Sequence, residues 1–511
     1  MTVYLWLILG YLLVLGAYNF WRARRVKNQD DFMVAGRSLP LTVMVFTLIC
    51  TWIGSGTFIA GAEYAARAGW SSMWLPAGAW LGIIVIFFLA GKIRTFGQYT
   101  VGDILEERYG KFARVFGAIA LIIAFTTIVS YQFRAGGYIL NVVTKGSISV
   151  AEGQAITAAF VILFTALGGM VAVAHTDLPN GIIIVLACLG AVPFIVSLAG
   201  GWQHAVQVLP ASHFQTFAQD FGEYPALKAG GYFLATMMLL MGVQSMYQKF
   251  YSARSPRDAK LAVAIWIVGT IVVEVLVIVI AIYGATANWD ALQAGKIDPA
   301  AIVLVAAENL AGAGGVGAVF GVLLLAAACA VVISTGMNYL LSPSTNVMRD
   351  IYQRFINAEA SQKKMVALQK IFVVIIGLCA FAIIFIPTVL NLKISVLKYS
   401  FFAYTMYGVS ITPALLAALV WKRATRAGGV ASIVSGAAMA IGFELVIPNA
   451  FPGLMVGPAG YQDPWGVPSI FPALAVSVLC LIVVSLLTKK PDPKTLAKLF
   501  PTSLEAQLNK E

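Results

Sequence analysis

The chain has 511 residues, 60% of them hydrophobic and 11% charged, with a mean hydropathy of +0.86. Ordinary soluble domains run at roughly 45–50% apolar and about 25% charged and cannot hide this much apolar surface, so a soluble enzyme, a disordered chain and a disulfide-built scaffold are all excluded. The net charge of +12 is diluted through hydrophobic segments and does not mark a nucleic-acid binder.

Apolar runs fall in chain order at 2–20, 42–62, 71–91, 113–143, 153–173, 178–199, 229–248, 260–284, 312–342, 366–388, 396–420, 428–447 and 468–488. They predict an all-α integral membrane protein with 13 transmembrane helices. The first run lacks the basic lead and small-x-small cleavage site of a signal peptide. Arg22, Arg24, Arg25 and Lys27 follow it and hold that end in the cytoplasm. The N-terminus is then outside and the C-terminus inside. Loops assigned to the cytoplasm on this scheme carry 27 of the 34 basic residues, leaving Arg67, Arg134, Lys145, Lys228, Lys296, Lys393 and Lys398. One missed span would invert every later loop. Cys50, Cys188, Cys329, Cys379 and Cys480 all lie in apolar stretches and read as small hydrophobes.

Two spans carry polar interruptions. The second reads Cys50-Thr51-Trp52-Ile53-Gly54-Ser55-Gly56-Thr57, and the seventh contains Met241-Gly242-Val243-Gln244-Ser245. Glycine weakens a helix and exposes its carbonyls. The interruptions sit five spans apart, so spans 2–6 and 7–11 read as two five-helix repeats inserted upside down relative to each other. Such repeats, each opening with a discontinuous helix, mark secondary transporters. The expected organisation is one domain over 1–488: an extra helix and loop at 1–41, a first repeat at 42–199, a second at 229–420 and C-terminal helices at 428–488. A tail follows at 489–511. The ninth span adds Ser334-Thr335, neighbouring hydroxyls that suit a sodium ion opposite unwound carbonyls.

Several ordered blocks complete the pattern. They are Asp31-Phe32-Met33-Val34-Ala35-Gly36-Arg37-Ser38-Leu39-Pro40, Gly168-Gly169 and Thr176-Asp177, Gln248-Lys249 and Ser252-Ala253-Arg254, the run from Ser334-Thr335 to Asp350-Ile351-Tyr352, and Trp421-Lys422-Arg423-Ala424-Thr425. In these the chain resembles the sodium:solute symporter family, which includes sodium/proline, sodium/pantothenate and sodium/glucose cotransporters. The resemblance implies a LeuT-like fold and sodium-driven uptake. It places sodium on the carbonyls of Cys50, Ile53 and Val331 and the hydroxyls of Ser334 and Thr335, with Asp177 on the sodium release path between spans 5 and 6. Met337 stands where some relatives carry a further hydroxyl for a second sodium. A thioether is a poor ligand for a hard cation, so one sodium per cycle is expected, although Asn338 offers one oxygen. Trp52 departs from the small polar residue common there.

The expected solute-binding residues are Trp52, Gly56, Thr57, Arg134, Gln244, Tyr404 and Tyr407. Arg134, deep in span 4, either clamps a substrate carboxylate or pairs with Glu63 or Glu274; the ion pair is the favoured reading, since a central arginine costs about 2.5–3.5 kcal/mol. Glu274 is then its partner or a protonatable relay. One sodium crossing about 100 mV with a tenfold gradient accumulates a neutral or zwitterionic solute roughly 500-fold, but a monoanion only about tenfold. A neutral or zwitterionic cargo such as an amino acid, a pantothenate-like molecule or a sugar is favoured. The protein is expected in the cell membrane as a functional monomer, with a small solute, sodium and lipid as partners and no nucleic acid. Rival readings are proton coupling through Asp177 or Glu274 and a solute sensor without net transport. An intramembrane enzyme lacks its nucleophile–base set.

Overall fold

The computed structural model of this chain describes residues 3–24, 26, 28–96, 99–218, 222–392, 395–458 and 460–500; Arg25, Lys27, Lys393 and residues 501–511 of the expected tail lie outside them. The described residues are almost wholly helical, with one antiparallel pair, Met455–Val456 against Asp463–Pro464. Ten helices are long and apolar enough to cross a hydrocarbon layer of about 30 Å. Their outer faces leave Phe88, Val268 and Leu487 exposed, an apolar surface that needs lipid as its solvent.

Both expected interruptions are breaks in the backbone. The Leu41–Trp52 helix stops at Ile53 (φ −71°, ψ 98°), and the chain resumes through a wide-turned Gly56–Gly61 segment into Ala62–Ala68. Pro225–Gly242 stops at Val243 (φ −61°, ψ 116°), and Gln244–Ser252 follows. The two broken rods touch beside their membrane ends. Leu39 N–H donates to the Ser252 carbonyl at 3.0 Å, and Arg254 reaches the Ser38 carbonyl at 2.9 Å. Two sequence blocks more than 200 positions apart thus meet.

Val150–Leu198 is helical over 49 residues. At 1.5 Å per residue that is about 74 Å, too long for one crossing. It is broken once, at Gly169, with φ 54° and ψ −162°. The expected loop between the fifth and sixth spans at 174–177 is therefore corrected. Thr176 bonds back to the Ala172 and Val173 carbonyls within continuous helix, and Asp177 lies inside that helix rather than in a loop. Only glycine enters the backbone region of Gly169 readily, and a Cβ there would lie 2.7 Å from the Phe32 ring. Gly169→Ala is expected to cost about 1–3 kcal/mol and lower the thermal midpoint in detergent. An unchanged midpoint would show that the bend is not fixed by this residue.

Candidate functional site

The first break faces the Gly315–Asn346 helix. Thr335 donates its hydroxyl to the Cys50 carbonyl at 2.8 Å and lies 3.2 Å from the Ile53 carbonyl, oxygens released where the ladder stops. Gly54 allows this approach, since a Cβ there would meet Thr335 Cγ2 at 2.7 Å. Ser334 turns its hydroxyl to the Asp177 carboxylate. Asp177 also accepts from Thr47 at 2.5 Å and from Asn338 at 3.1 Å, and its own carbonyl accepts from the Cys50 thiol at 3.3 Å. Val331 is fully buried one turn before Thr335. The structure therefore gathers Cys50, Ile53, Ser334, Thr335 and Asp177 around one point, with Val331 one helical turn away. Hard oxygens dominate it, and the C-terminal end of Leu41–Trp52 adds partial negative charge.

One member was missed from the sequence. Lys249 was counted with the cytoplasmic loop charges, yet it is fully buried in the helix that opens at the second break. Its ammonium donates to the Asn338 side-chain oxygen, while the Asn338 amide donates to Asp177. The bridge compensates a buried carboxylate that alone would cost several kcal/mol.

Trp52, Gly56, Thr57 and Tyr404 line a small cavity beside the first break, together with Leu75, Pro76, Thr236, Glu274 and Ile278. Its free volume of about 20 Å³ is room for a single water. The Trp52 and Tyr404 rings lie 6.4 Å apart at 29°. Glu274 accepts from the Trp52 indole at 2.9 Å and from the Trp80 indole at 2.7 Å.

Three expected solute contacts fall elsewhere. Arg134 lines a separate, larger cavity of about 1150 Å³ with Glu63, Arg67, Asp298 and Lys398. It donates to the Thr388 hydroxyl at 2.9 Å and lies over the Tyr138 ring. The favoured pairing with Glu63 or Glu274 is not formed: Glu63 is taken by Ser395, Tyr461 and the Leu397 N–H, and Glu274 by two indoles. Arg134 can stay unpaired because its cavity is polar and wide enough for water. Tyr407 is spent on the second break, accepting from Gln244 N–H at 3.1 Å and donating to the Gly242 carbonyl at 2.8 Å. Gln244 points away from the solute cavity. Its side chain accepts from Val101 N–H at 3.0 Å and pairs with Asn346.

Asn346 in turn donates to Asp350, which anchors a buried charge cluster at that end of the molecule. Arg114 bonds Asp350 at 2.7 Å, Asp103 at 2.6 Å and Glu106 at 2.5 Å. Burial pushes the Glu106 carboxyl up, but Arg114 and Arg354 outweigh it and hold that group below the usual carboxylate range. The second break is thereby wired to an ionic latch on the side of the protein away from the Arg134 cavity.

A broken rod facing a hydroxyl pair, with a second break beside it, is the arrangement of a cation-coupled carrier. The family model for the sodium:solute symporter family matches residues 32–436. The chain belongs to the sodium:solute symporter family. A sodium/proline symporter of Staphylococcus aureus is 27% identical, over 94% of this chain and 91% of its own length. Among solved structures, a Na+-coupled sialic acid symporter in a substrate-bound outward-open state superposes with a TM-score of 0.77 at 16% identity, covering 96% of this chain and 99% of that one. MhsT in complex with L-phenylalanine gives 0.52 at 12%, over 88% and 98%. These likenesses show a shared LeuT-like fold. This symporter is a multi-pass protein of the cell membrane, a transporter and not an enzyme, and sodium is its coupling ion.

Proposed function

We propose that this symporter imports a small neutral or zwitterionic solute by alternating access, one sodium per cycle. The observation that carries the reading is the Thr335 hydroxyl seated against the Cys50 and Ile53 carbonyls. Sodium enters between these oxygens as the Thr335 hydroxyl keeps its proton and turns a lone pair to the ion, which is held by the carbonyls of Cys50, Ile53 and Val331 and the hydroxyls of Ser334 and Thr335. Asp177 receives it on the way to the cytoplasm. Bound sodium draws the broken rod onto the Gly315–Asn346 helix and so shapes the Trp52, Gly56, Thr57 and Tyr404 wall. Coupling of this kind is reciprocal: solute tightens sodium by the same factor that sodium tightens solute. A single sodium fits Met337, which offers no hard oxygen, and Asn338, whose oxygen already accepts from Lys249.

The same reading keeps thirteen spans, counting Val150–Leu198 as two across Gly169, with the N-terminus outside and the C-terminus inside. Repeats at 42–199 and 229–420 are inverted copies, and the chain works as a monomer without nucleic acid. The Arg114 latch then faces the cytoplasm and the Arg134 cavity faces outside. Proline, the solute named for the staphylococcal relative, is the first cargo to test. In proteoliposomes with an inward sodium gradient, labelled proline should accumulate with one net positive charge entering per molecule. Equal uptake in sodium-free buffer would overturn the coupling, and two charges per molecule would overturn the stoichiometry.

A further inference from the structure

An ionised side chain inside a membrane needs a partner, and those that lack one mark a ligand path. Glu274 is 3% exposed, midway along Pro256–Ala287, and among the described residues it forms no ion pair. Its neighbours are the Trp52 and Trp80 indole N–H groups, one on each carboxylate oxygen, and the Thr57 hydroxyl. Each carboxyl oxygen accepts one indole N–H and keeps a further lone pair to give. The group lines the same cavity as the Trp52 and Tyr404 rings. This is a pocket with one carboxyl and aromatic walls.

We propose that Glu274 holds a positively charged nitrogen of the solute, an ammonium or quaternary ammonium group, with the faces of Trp52 and Tyr404 against it. The inference rests on the solute cavity assigned above and narrows its cargo to amine-bearing zwitterions, setting aside sugars and plain carboxylates. Attraction of a cation to an aromatic face and to a buried carboxylate act together here. A second sodium is the poorer occupant. Thr57, Thr236 and Tyr404 add hydroxyls, but the walls at Leu75, Pro76, Ile278 and the Trp52 ring are apolar, so a bare sodium would replace less of its water here than in a carbonyl-lined break. An alkylated nitrogen carries its own apolar shell and loses less. The cavity as it stands holds only a water, so the solute enters as Trp52 and Tyr404 part. Tyr404 has little slack in its present position, since its hydroxyl would clash with any Cβ at Gly56.

The test uses carbon-for-nitrogen isosteres on the purified full-length chain in saturating sodium. Proline is set against cyclopentanecarboxylate and glycine betaine against 3,3-dimethylbutanoate, with glucose and pantothenate alongside, and binding is read as a thermal shift. At least one amine should bind ten times more tightly than its neutral-carbon twin. Glu274→Gln should remove that advantage while the shift caused by sodium alone survives, since the sodium cradle is untouched. The isostere comparison needs no variant, so a poorly folding Glu274→Gln leaves the proposal open to refutation. Isosteres that bind equally well, an unaffected Glu274→Gln, or binding of glucose or pantothenate alone would overturn the ammonium pocket and leave sodium coupling standing. No sodium shift in the unaltered chain would remove the sodium cradle itself, and this pocket's role with it.

Discussion

Replacing Ser334 and Thr335 together by alanine is expected to raise the sodium concentration for half-maximal uptake at least tenfold, about 1.4 kcal/mol of binding free energy. Both hydroxyls project from the Gly315–Asn346 helix toward the first break, Ser334 onto Asp177 and Thr335 onto the carbonyls of the broken rod. A sodium ion left with backbone carbonyls alone keeps more of its water and binds more weakly. Thr335→Ser keeps the oxygen and should stay within a few-fold of the unaltered chain. The folded structure should tolerate these changes, because neither hydroxyl satisfies a partner that alanine leaves charged and alone: Asp177 retains Thr47 and Asn338. Sodium titrations of uptake in proteoliposomes read the effect. An unchanged half-saturation value in the double variant would remove these residues from the site.

The second large effect is expected at the charge cluster. Arg114 is the cation shared by Asp103 and Asp350, both buried; Asp103 keeps Arg349 at 3.5 Å, but Arg114→Ala strands Asp350 without a cation and should cost about 3–5 kcal/mol in the closed arrangement of that end. Uptake should fall more than tenfold as the carrier is biased toward opening at that end. Arg114→Lys should rescue only in part, since an ammonium cannot fork between carboxylates as a guanidinium does. Arg354 gives the contrast. Its side chain is 52% exposed and meets Glu106 alone, so Arg354→Ala should cost no more than about 1 kcal/mol. Equal losses from the two alanine variants would mean that the latch is not what holds this end shut.

Much of this was legible in the sequence because the physics is local. A Gly-Ser-Gly run in an apolar span exposes backbone wherever it lies, and neighbouring hydroxyls on a helix face can be counted without knowing the fold. Both breaks follow from that, whereas the meeting of Thr335 with Cys50 and Ile53 was what the family resemblance implied. What depends on long-range partners was read less well. Arg134 and Glu274 were matched as opposite charges in one membrane, but a water-wide cavity relieves the first and two indoles hold the second. Gln244 lies at a break, as expected, but its side chain bonds Val101 and Asn346, and Tyr407, expected to line a pocket, bonds the backbone of that break instead. Lys249 looked like a loop charge because basic residues cluster at the ends of spans; only the path of Gln244–Ser252 through the interior shows that it answers Asp177. Glycine at 169 supplied the turn that the sequence placed near Asp177.

The central claim is that one sodium lodges between the broken rod and the hydroxyl pair. Equilibrium binding of radioactive sodium to the purified chain tests it without any assumption about the cargo. The unaltered protein should bind close to one ion per chain, and Thr335→Ala should lose that binding at the same sodium concentration. Full binding by Thr335→Ala, or a ratio near two in the unaltered protein, would contradict the account.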